Sequence, residues 1–327
     1  MKYLVYPGCS LEKGAAGYSY WQSTLAATQA LGIELVEVDD WNCCGATEYI
    51  ALNRTAAYAL IARNLALAAR MDHFTEMIAP CSACYLNLSK ADRYLVQDAA
   101  LAEKINSTLA EAELHYKPGS IKTRHLLDVI VNDVGYAAVA ERVVKPLKGL
   151  RVAPYYGCLI GRPGFFGQID DPEYPTALDK LLKGLGAEIV DYPMKAHCCG
   201  GHMTQISEPV AFDLIRRLVQ GAADYNADII ATVCPMCQLN LDGFQGAMNR
   251  YYKSNYHVPV LYFTQMMGLA FGIDAATLGI GTEVVDARPA LSRIGVTVPP
   301  PADEKPARKP RKSKDALPMP VMPEQEG

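Results

Sequence analysis

The ten cysteines of this chain fall into two sets of five with the same internal order, and that repetition constrains the fold more than any other feature. Cys9, Cys43, Cys44, Cys81 and Cys84 form the first set. Cys158, Cys198, Cys199, Cys234 and Cys237 form the second. Three anchors align the halves. Tyr6-Pro7-Gly8-Cys9 answers Tyr156-Gly157-Cys158, and Asn42-Cys43-Cys44-Gly45 answers His197-Cys198-Cys199-Gly200. Cys81-Ser82-Ala83-Cys84-Tyr85-Leu86-Asn87-Leu88 answers Cys234-Pro235-Met236-Cys237-Gln238-Leu239-Asn240-Leu241. The offsets of 149, 155 and 153 residues differ by no more than small loop insertions, so the chain reads as two copies of one domain.

Within each copy, short β-rich runs alternate with amphipathic helical stretches, the pattern of βα units around a parallel sheet. In the second copy the expected strands are Arg151–Tyr155, Glu188–Tyr192, Asp228–Val233 and Val258–Tyr262. The expected helices are Pro175–Leu185, Pro209–Tyr225 and Cys237–Tyr252, with Gly186 stopping the first. The fold class is therefore α/β, with two pseudo-symmetric βα domains built on parallel sheets and related by internal duplication. The cysteines then follow strands, where ligand sites of parallel sheets gather and sequence-distant residues can converge. Helices starting at or just after Cys81 and Cys234 would aim free amide groups at a bound anionic group.

The expected domains are residues 1–148 and 149–295, the boundary falling where Pro146 and Gly149 interrupt the pattern. Residues 296–327 hold eight prolines and a basic run from Lys305 to Lys314 without apolar periodicity, which reads as a disordered tail. At 327 residues, 50% of them apolar, the chain has enough material for two buried cores. A formal net charge of -4 gives no reason to expect nucleic acid as a partner. Met1 leads straight into the strand-like Lys-Tyr-Leu-Val-Tyr without a signal-peptide pattern, and Val258–Gly272 is too short to span a bilayer. The expected location is the cytoplasm, with no transmembrane segment.

In a reducing compartment ten cysteines speak for metal or redox chemistry rather than structural disulfides. One Cys-x-x-Cys would be weak evidence, being shared by zinc ribbons and thioredoxin-like sites. Structural zinc closes with four ligands and would idle a fifth thiolate in each copy. Thiol–disulfide exchange would explain the Cys-x-x-Cys pairs but not the adjacent Cys-Cys pairs. Thiolate is the soft ligand that iron–sulfur clusters use, so each five-cysteine set is expected to hold one. The spacing is not the compact run of an ordinary ferredoxin. Gly45 and the Gly200-Gly201 pair would let the backbone turn tightly beside the cluster, as they would in an ordinary turn.

The paired motif Cys9…Cys43-Cys44-Gly45…Cys81-x-x-Cys84 and Cys158…Cys198-Cys199-Gly200…Cys234-x-x-Cys237 resembles the B subunit of heterodisulfide reductase, which has two cysteine-rich CCG domains. The resemblance covers about residues 1–275 and includes the related bacterial sulfur-metabolism complexes. It implies that Cys9, Cys43, Cys44, Cys81 and Cys84 hold one noncubane 4Fe-4S cluster, and Cys158, Cys198, Cys199, Cys234 and Cys237 a second. A small-molecule or carrier-bound disulfide would be cleaved reductively between them, or thiols oxidised in reverse. Electrons would come through a flavin-containing A subunit and a C subunit with cubane 4Fe-4S clusters. One departure is small: 34 residues separate Cys199 from Cys234, against 36 between Cys44 and Cys81. A related family, in quinone-linked succinate or fumarate reductase complexes, uses these domains too, sometimes with one motif incomplete. An electron-transfer subunit passing electrons to a quinone or partner protein is thus the alternative reading.

No Gly-x-Gly-x-x-Gly follows the first strand, so this chain is expected to bind neither nucleotide nor flavin. Arg162, Lys195, His197 and His202 flank the second motif and are candidates for binding an anionic substrate or donating a proton. Basic residues there can equally tune a cluster's potential. Tyr18-Ser19-Tyr20-Trp21 reads as helix packing and is left outside the site.

Overall fold

The computed structural model describes residues 1–46, 49–71, 73–162 and 169–298, so the expected tail lies almost entirely outside the described residues. The first half runs β1 (Lys2–Val5), α1 (Tyr18–Ala30), β2 (Glu34–Glu37), α2 (Tyr49–Leu52), α3 (Arg54–Arg70), β3 (Glu76–Ala79), α4 (Ser82–Gln97), α5 (Ala99–Ala110) and β4 (Lys122–His125). It closes with a short α6 (Leu126–Asp128), a π-helical Val129–Gly135 and α7 (Tyr136–Glu141). The second half repeats the plan with β5 (Arg151–Tyr155), α8 (Ala177–Gly184), β6 (Glu188–Ile189), α9 (Met203–Ile206), α10 (Glu208–Asp224), β7 (Ile229–Thr232) and α11 (Pro235–Gln238). A π-helical Leu239–Gly243, α12 (Gln245–Tyr252), β8 (Val260–Tyr262), α13 (Phe263–Ala270) and α14 (Arg288–Ser292) follow.

Each half has one four-stranded sheet with every pairing parallel, in the orders β2-β1-β3-β4 and β6-β5-β7-β8. The duplicated α/β architecture is therefore as the sequence implies. All four residues of β7 are buried, as a strand covered on both faces requires. Leu178, Leu181 and Leu182 of α8, and Phe212, Ile215 and Val219 of α10, recur at three- and four-residue spacing and turn inward. Pro209 sits in the first turn of α10, where its missing N–H costs nothing.

Three expectations change. The strand expected over Glu188–Tyr192 is hydrogen-bonded as strand only at Glu188–Ile189, after which the chain turns toward Pro193. The helix expected from Cys237 to Tyr252 starts earlier, at Pro235 with Cys234 as its N-cap residue, and is broken by a π-helical turn at Leu239–Gly243. Side chains pull on that turn: Asn240 reaches back to Cys199 and Gly201, and the Asp242 carboxylate accepts the N–H groups of Val284 and Val285 at 2.7 and 3.0 Å. The repeat also aligns differently at its first anchor. Tyr155, which ends β5 and stands three residues before Cys158, is the partner of Tyr6.

The halves share their cores. One apolar cluster joins α1, α7, α8 and α13 between the sheets, with Tyr20, Leu126, Leu178, Phe263 and Met267 among its buried members. The helix after the last strand of each half crosses to the other half: α13 packs on α1, and α7 packs on α8. Tyr20 stacks on Tyr262 with ring centroids 4.3 Å apart, and the Ser23 and Thr264 hydroxyls lie 2.7 Å apart. Among the described residues no helix is long and apolar enough to cross a membrane.

Candidate functional site

Every cysteine lies at or just beyond the carboxyl end of a strand. Cys9 and Cys158 follow β1 and β5, the adjacent pairs follow β2 and β6, and the Cys-x-x-Cys segments join β3 to α4 and β7 to α11. In the first half the thiols form one row. Cys9 and Cys43 are 3.4 Å apart, Cys44 and Cys84 are 3.4 Å apart, and hydrogen-bond contacts link Cys43 to Cys44 and Cys84 to Cys81. In the second half Cys158 meets Cys198, while Cys199, Cys237 and Cys234 form a second group. The two sets also touch, because the thiols of Cys81 and Cys234 are within hydrogen-bonding reach across the junction between halves.

Matching side chains frame each set. The Tyr6 hydroxyl donates to the carbonyl of Asn42, and that of Tyr155 donates to the carbonyl of His197, both at 2.7 Å. Each bond fixes the residue that precedes an adjacent cysteine pair. From α4, the buried amide of Asn87 donates to Cys44 O at 3.4 Å and to Ala46 O, and faces Cys44 Sγ at 3.7 Å. From the π turn, Asn240 donates to Cys199 O at 3.2 Å and Gly201 O at 2.7 Å, and faces Cys199 Sγ at 3.5 Å. A buried asparagine pointing N–H groups at a sulfur and its backbone both holds the loop and stabilises negative charge on that sulfur. Gly8 and Gly157 sit at φ of 78° and 68°, and a Cβ on either would come within 2.9 Å of Cys84 Sγ or 3.0 Å of Cys237 Sγ. Only glycine lets the backbone pass that close to sulfur.

Proton affinities within the sets are uneven. Cys43 is pulled down to about 2 by the thiols of Cys44 and Cys9, helped by the Gly45 N–H and by His202 of the other half. Cys198 falls to about 6, chiefly through Cys158, with the Gly200 N–H and Arg162 assisting. Cys9 and Cys158 are pushed up by their hydrogen bonds to Cys43 and Cys198 and by burial, and Cys44 rises to about 11. Crowded thiols cannot all ionise side by side without a cation among them. Among the described residues, no three His, Cys, Asp or Glu side chains close on one point as a single metal ion would require. Two matching sets of five soft thiol donors, with no β-carbon at Gly8 or Gly157 against Cys84 and Cys237, fit iron–sulfur groups.

At the junction, Tyr20 of α1 donates to Pro80 O at 3.2 Å and Val233 O at 3.3 Å, the carbonyls that precede Cys81 and Cys234. His125 reaches the same two carbonyls from β4. Its Nδ1 accepts from the Leu127 N–H at 3.1 Å, which leaves the proton on Nε2, 3.3 Å from Ser82 Oγ. Burial pushes this histidine down to about 4, so it is neutral. The register of β4 and β8 puts His125 and Tyr262 at equivalent positions.

The other candidates separate. Arg162 donates to Ala196 O, within the electrostatic reach of Cys198 already noted. His202 stands between the halves, near Cys43. Lys195 is only 1% exposed and its ammonium is committed: it pairs with Asp179 at 2.9 Å and lies 3.9 Å over the Tyr174 ring. Its carbonyl accepts from Tyr156 and Gly157 N–H groups, so it braces the Cys158 loop. His197 is exposed, and its backbone carbonyl, not its ring, serves Tyr155. Sequence reasoning missed Asn87, Asn240, Tyr20 and His125. The asparagines were legible, since they recur at one position of the repeat.

Comparison with known proteins agrees with this geometry. The family model of the CCG cysteine-rich domain matches twice, over residues 3–89 and 152–242. The chain is 35% identical over 286 residues to the 8-methylmenaquinol:fumarate reductase membrane anchor subunit of Wolinella succinogenes, covering 88% of this chain and 98% of that one. It is 28% identical over 296 residues to the B subunit of the ferredoxin:CoB-CoM heterodisulfide reductase of Methanosarcina mazei, covering 90% and 97%. A protein of Archaeoglobus profundus described as like the heterodisulfide reductase B subunit is 29% identical, covering 84% and 92%. A crystal structure of a hypothetical protein from Helicobacter pylori shares the fold with a TM-score of 0.68 at 15% identity; the match covers 87% of this chain and 52% of that one. With two matched domains around two equivalent cysteine sets, the chain belongs to the family of CCG cysteine-rich-domain proteins.

Proposed function

We propose that this chain is the iron–sulfur subunit of a multi-subunit, heterodisulfide reductase-like oxidoreductase. In this reading Cys9, Cys43, Cys44, Cys81 and Cys84 hold one noncubane 4Fe-4S cluster, and Cys158, Cys198, Cys199, Cys234 and Cys237 hold the other. The observation that carries it is the meeting of the two sets at Cys81 and Cys234. When bound, such clusters supply single-electron steps, one to each sulfur of a disulfide. The chain's own residues hold the geometry: Asn87 and Asn240 orient the sulfurs, Tyr20 and His125 fix the backbone ahead of the junction cysteines, and Arg162 offers positive charge beside Cys198. A carrier-bound or small-molecule disulfide, or the thiols of the reverse reaction, is the proposed substrate. Subunits carrying flavin and cubane clusters are the proposed partners.

A second reading, an electron relay to or from a quinone, is favoured by the 35% identity to a menaquinol:fumarate reductase subunit over nearly that subunit's whole length. Iron and sulfide analysis of anaerobically purified protein tests what they share, with about four irons expected per set and zinc without iron overturning both. A disulfide that perturbs the paramagnetic resonance signal of the oxidised protein supports the first. If no candidate disulfide or thiol does so, the relay stands.

A further inference from the structure

Beside the first cysteine set, on the face of α1 turned away from the junction, lies an open cavity of about 510 Å³, within the range of small-molecule sites. Three aromatic side chains line it among polar and aliphatic ones. Tyr18 and Trp21 come from α1, one turn apart, and Trp41 from the loop that carries Cys43. Trp41 is braced by Tyr6, whose ring meets it edge-on at 5.4 Å, and its indole N–H is given to Glu37 at 2.8 Å. Pro7 and Leu11 also line it, and Leu25 continues the α1 face one turn beyond Trp21 and is exposed. Pro7 and Trp41 each stand two residues from an exposed cysteine, Cys9 and Cys43 respectively. The sequence pattern treats Tyr18-Ser19-Tyr20-Trp21 as helix packing. Only Tyr20 is fully buried, while Tyr18 and Trp21 face this cavity.

The duplication provides an internal control. The equivalent place in the second half lies where Tyr156 and Ala196 replace Pro7 and Trp41. There, among the described residues, Ile169, Pro172 and Pro175 help to line a pocket of about 10 Å³. Among the described residues, the first half keeps this place open and lined with tryptophan, and the second does not.

We infer that this cavity is a binding site for a neutral, planar ring bearing oxygen substituents, the chemistry of a quinone or quinol. Indole and phenol rings lining one cavity offer faces on which a flat ring stacks. Glu12 and Glu37 on the rim, against one Lys13, repel the phosphates of a nucleotide or flavin nucleotide. The same carboxylates accept from ring hydroxyls, and Gln22 and Lys13 donate to ring carbonyls. Leu25 gives an apolar substituent a way out. The site is separate from the cysteines, and its purpose rests on the electron-relay reading.

Trp21 and Trp41 are the chain's two tryptophans, so an occupant acts on the whole indole emission. The test titrates anaerobically purified, iron-loaded protein with 2,3-dimethyl-1,4-naphthoquinone, which has no open quinone-ring position for thiols to attack, by calorimetry and tryptophan emission together. Saturable binding with quenching is expected, weakened at least tenfold in Trp21→Ala and in Glu37→Gln, with iron content unchanged and Ile160→Ala binding as the parent does. 2,3-Dimethylnaphthalene, which lacks the oxygens, is expected to bind at least tenfold more weakly. No saturable binding, binding insensitive to Trp21→Ala, or equal binding of the hydrocarbon would each overturn the assignment. Iron content and the response of the paramagnetic resonance signal to disulfides, read on the same samples, keep that outcome distinct from failure of the iron–sulfur and electron-relay readings.

Discussion

The two cysteine sites are nearly the same in how their sulfurs are held and quite different in how they can be reached. Tyr6 and Tyr155, Gly8 and Gly157, Asn87 and Asn240 do the same work on the same atoms. Around those fixtures the halves diverge. The first keeps a cavity with aromatic lining beside Cys9 and Cys43, while the second has only a small pocket there among the described residues and sets Arg162 against the Cys198 loop. At the junction His125 faces the crossing from one side and Tyr262 from the other. In a duplicated fold the shared parts mark what any occupant of the site needs. The unshared parts mark what distinguishes the two tasks.

The largest effect that could break this comparison is loss of a whole cluster. Cys44→Ala and Cys199→Ala are each expected to remove about half the bound iron, read by metal analysis of anaerobically purified protein. If either variant loses nearly all of it, the sets form one indivisible centre. Next come the asparagines. Asn87→Ala and Asn240→Ala each strip loop carbonyls and a sulfur of a buried donor, at about 1–3 kcal/mol. Equal losses in chemical denaturation, each with a shift in the reduction potential of its own site, would sharpen the equivalence. Unequal losses would show that the π turn bearing Asn240 tolerates the change differently from the regular helix bearing Asn87.

Tyr20→Phe removes one hydroxyl shared between Pro80 and Val233 and is expected to cost about 1 kcal/mol. Because it lies between the halves, it should alter the resonance signals of both sites alike, and a change confined to one would contradict the symmetric placement. A further effect is one-sided. His125 stays neutral in the folded state down to about 4 because it is buried, whereas in the unfolded chain it takes a proton near 6.5. The unfolded state therefore binds the extra proton in that window. This contribution is fully present above about 6.5 and shrinks as pH falls toward 4, by up to about 1.4 kcal/mol per pH unit. Unfolding midpoints between pH 7 and 5.5 should flatten in His125→Gln, and Tyr262, with no charge to gain there, should contribute no matching slope.

Much of this architecture is legible in the sequence because its signals are local. Strand–helix alternation gives the parallel sheets, the glycine beside each cysteine pair marks a tight loop, and repeated anchors give the duplication. Tyr20 and His125 are hidden because their partners are backbone carbonyls up to 213 residues away, and no periodicity encodes such a contact. The π turn escapes for a similar reason: Asn240 and Asp242 distort the helix by binding loops around forty residues away in either direction. Asn87 and Asn240 hold fixed places in the repeat. A polar residue inside a helix nonetheless reads as surface until the buried sulfur beside it is seen.

The crossing of α13 onto α1, and of α7 onto α8, carries a consequence for how such a chain can be taken apart. Each half offers the other one surface helix and covers one in return, the reciprocity of an isologous dimer written into a single polypeptide. Cut near residue 148, neither piece would keep its core sealed. A separated half should recruit a second copy of itself, with its junction cysteine meeting its own twin on a true two-fold axis.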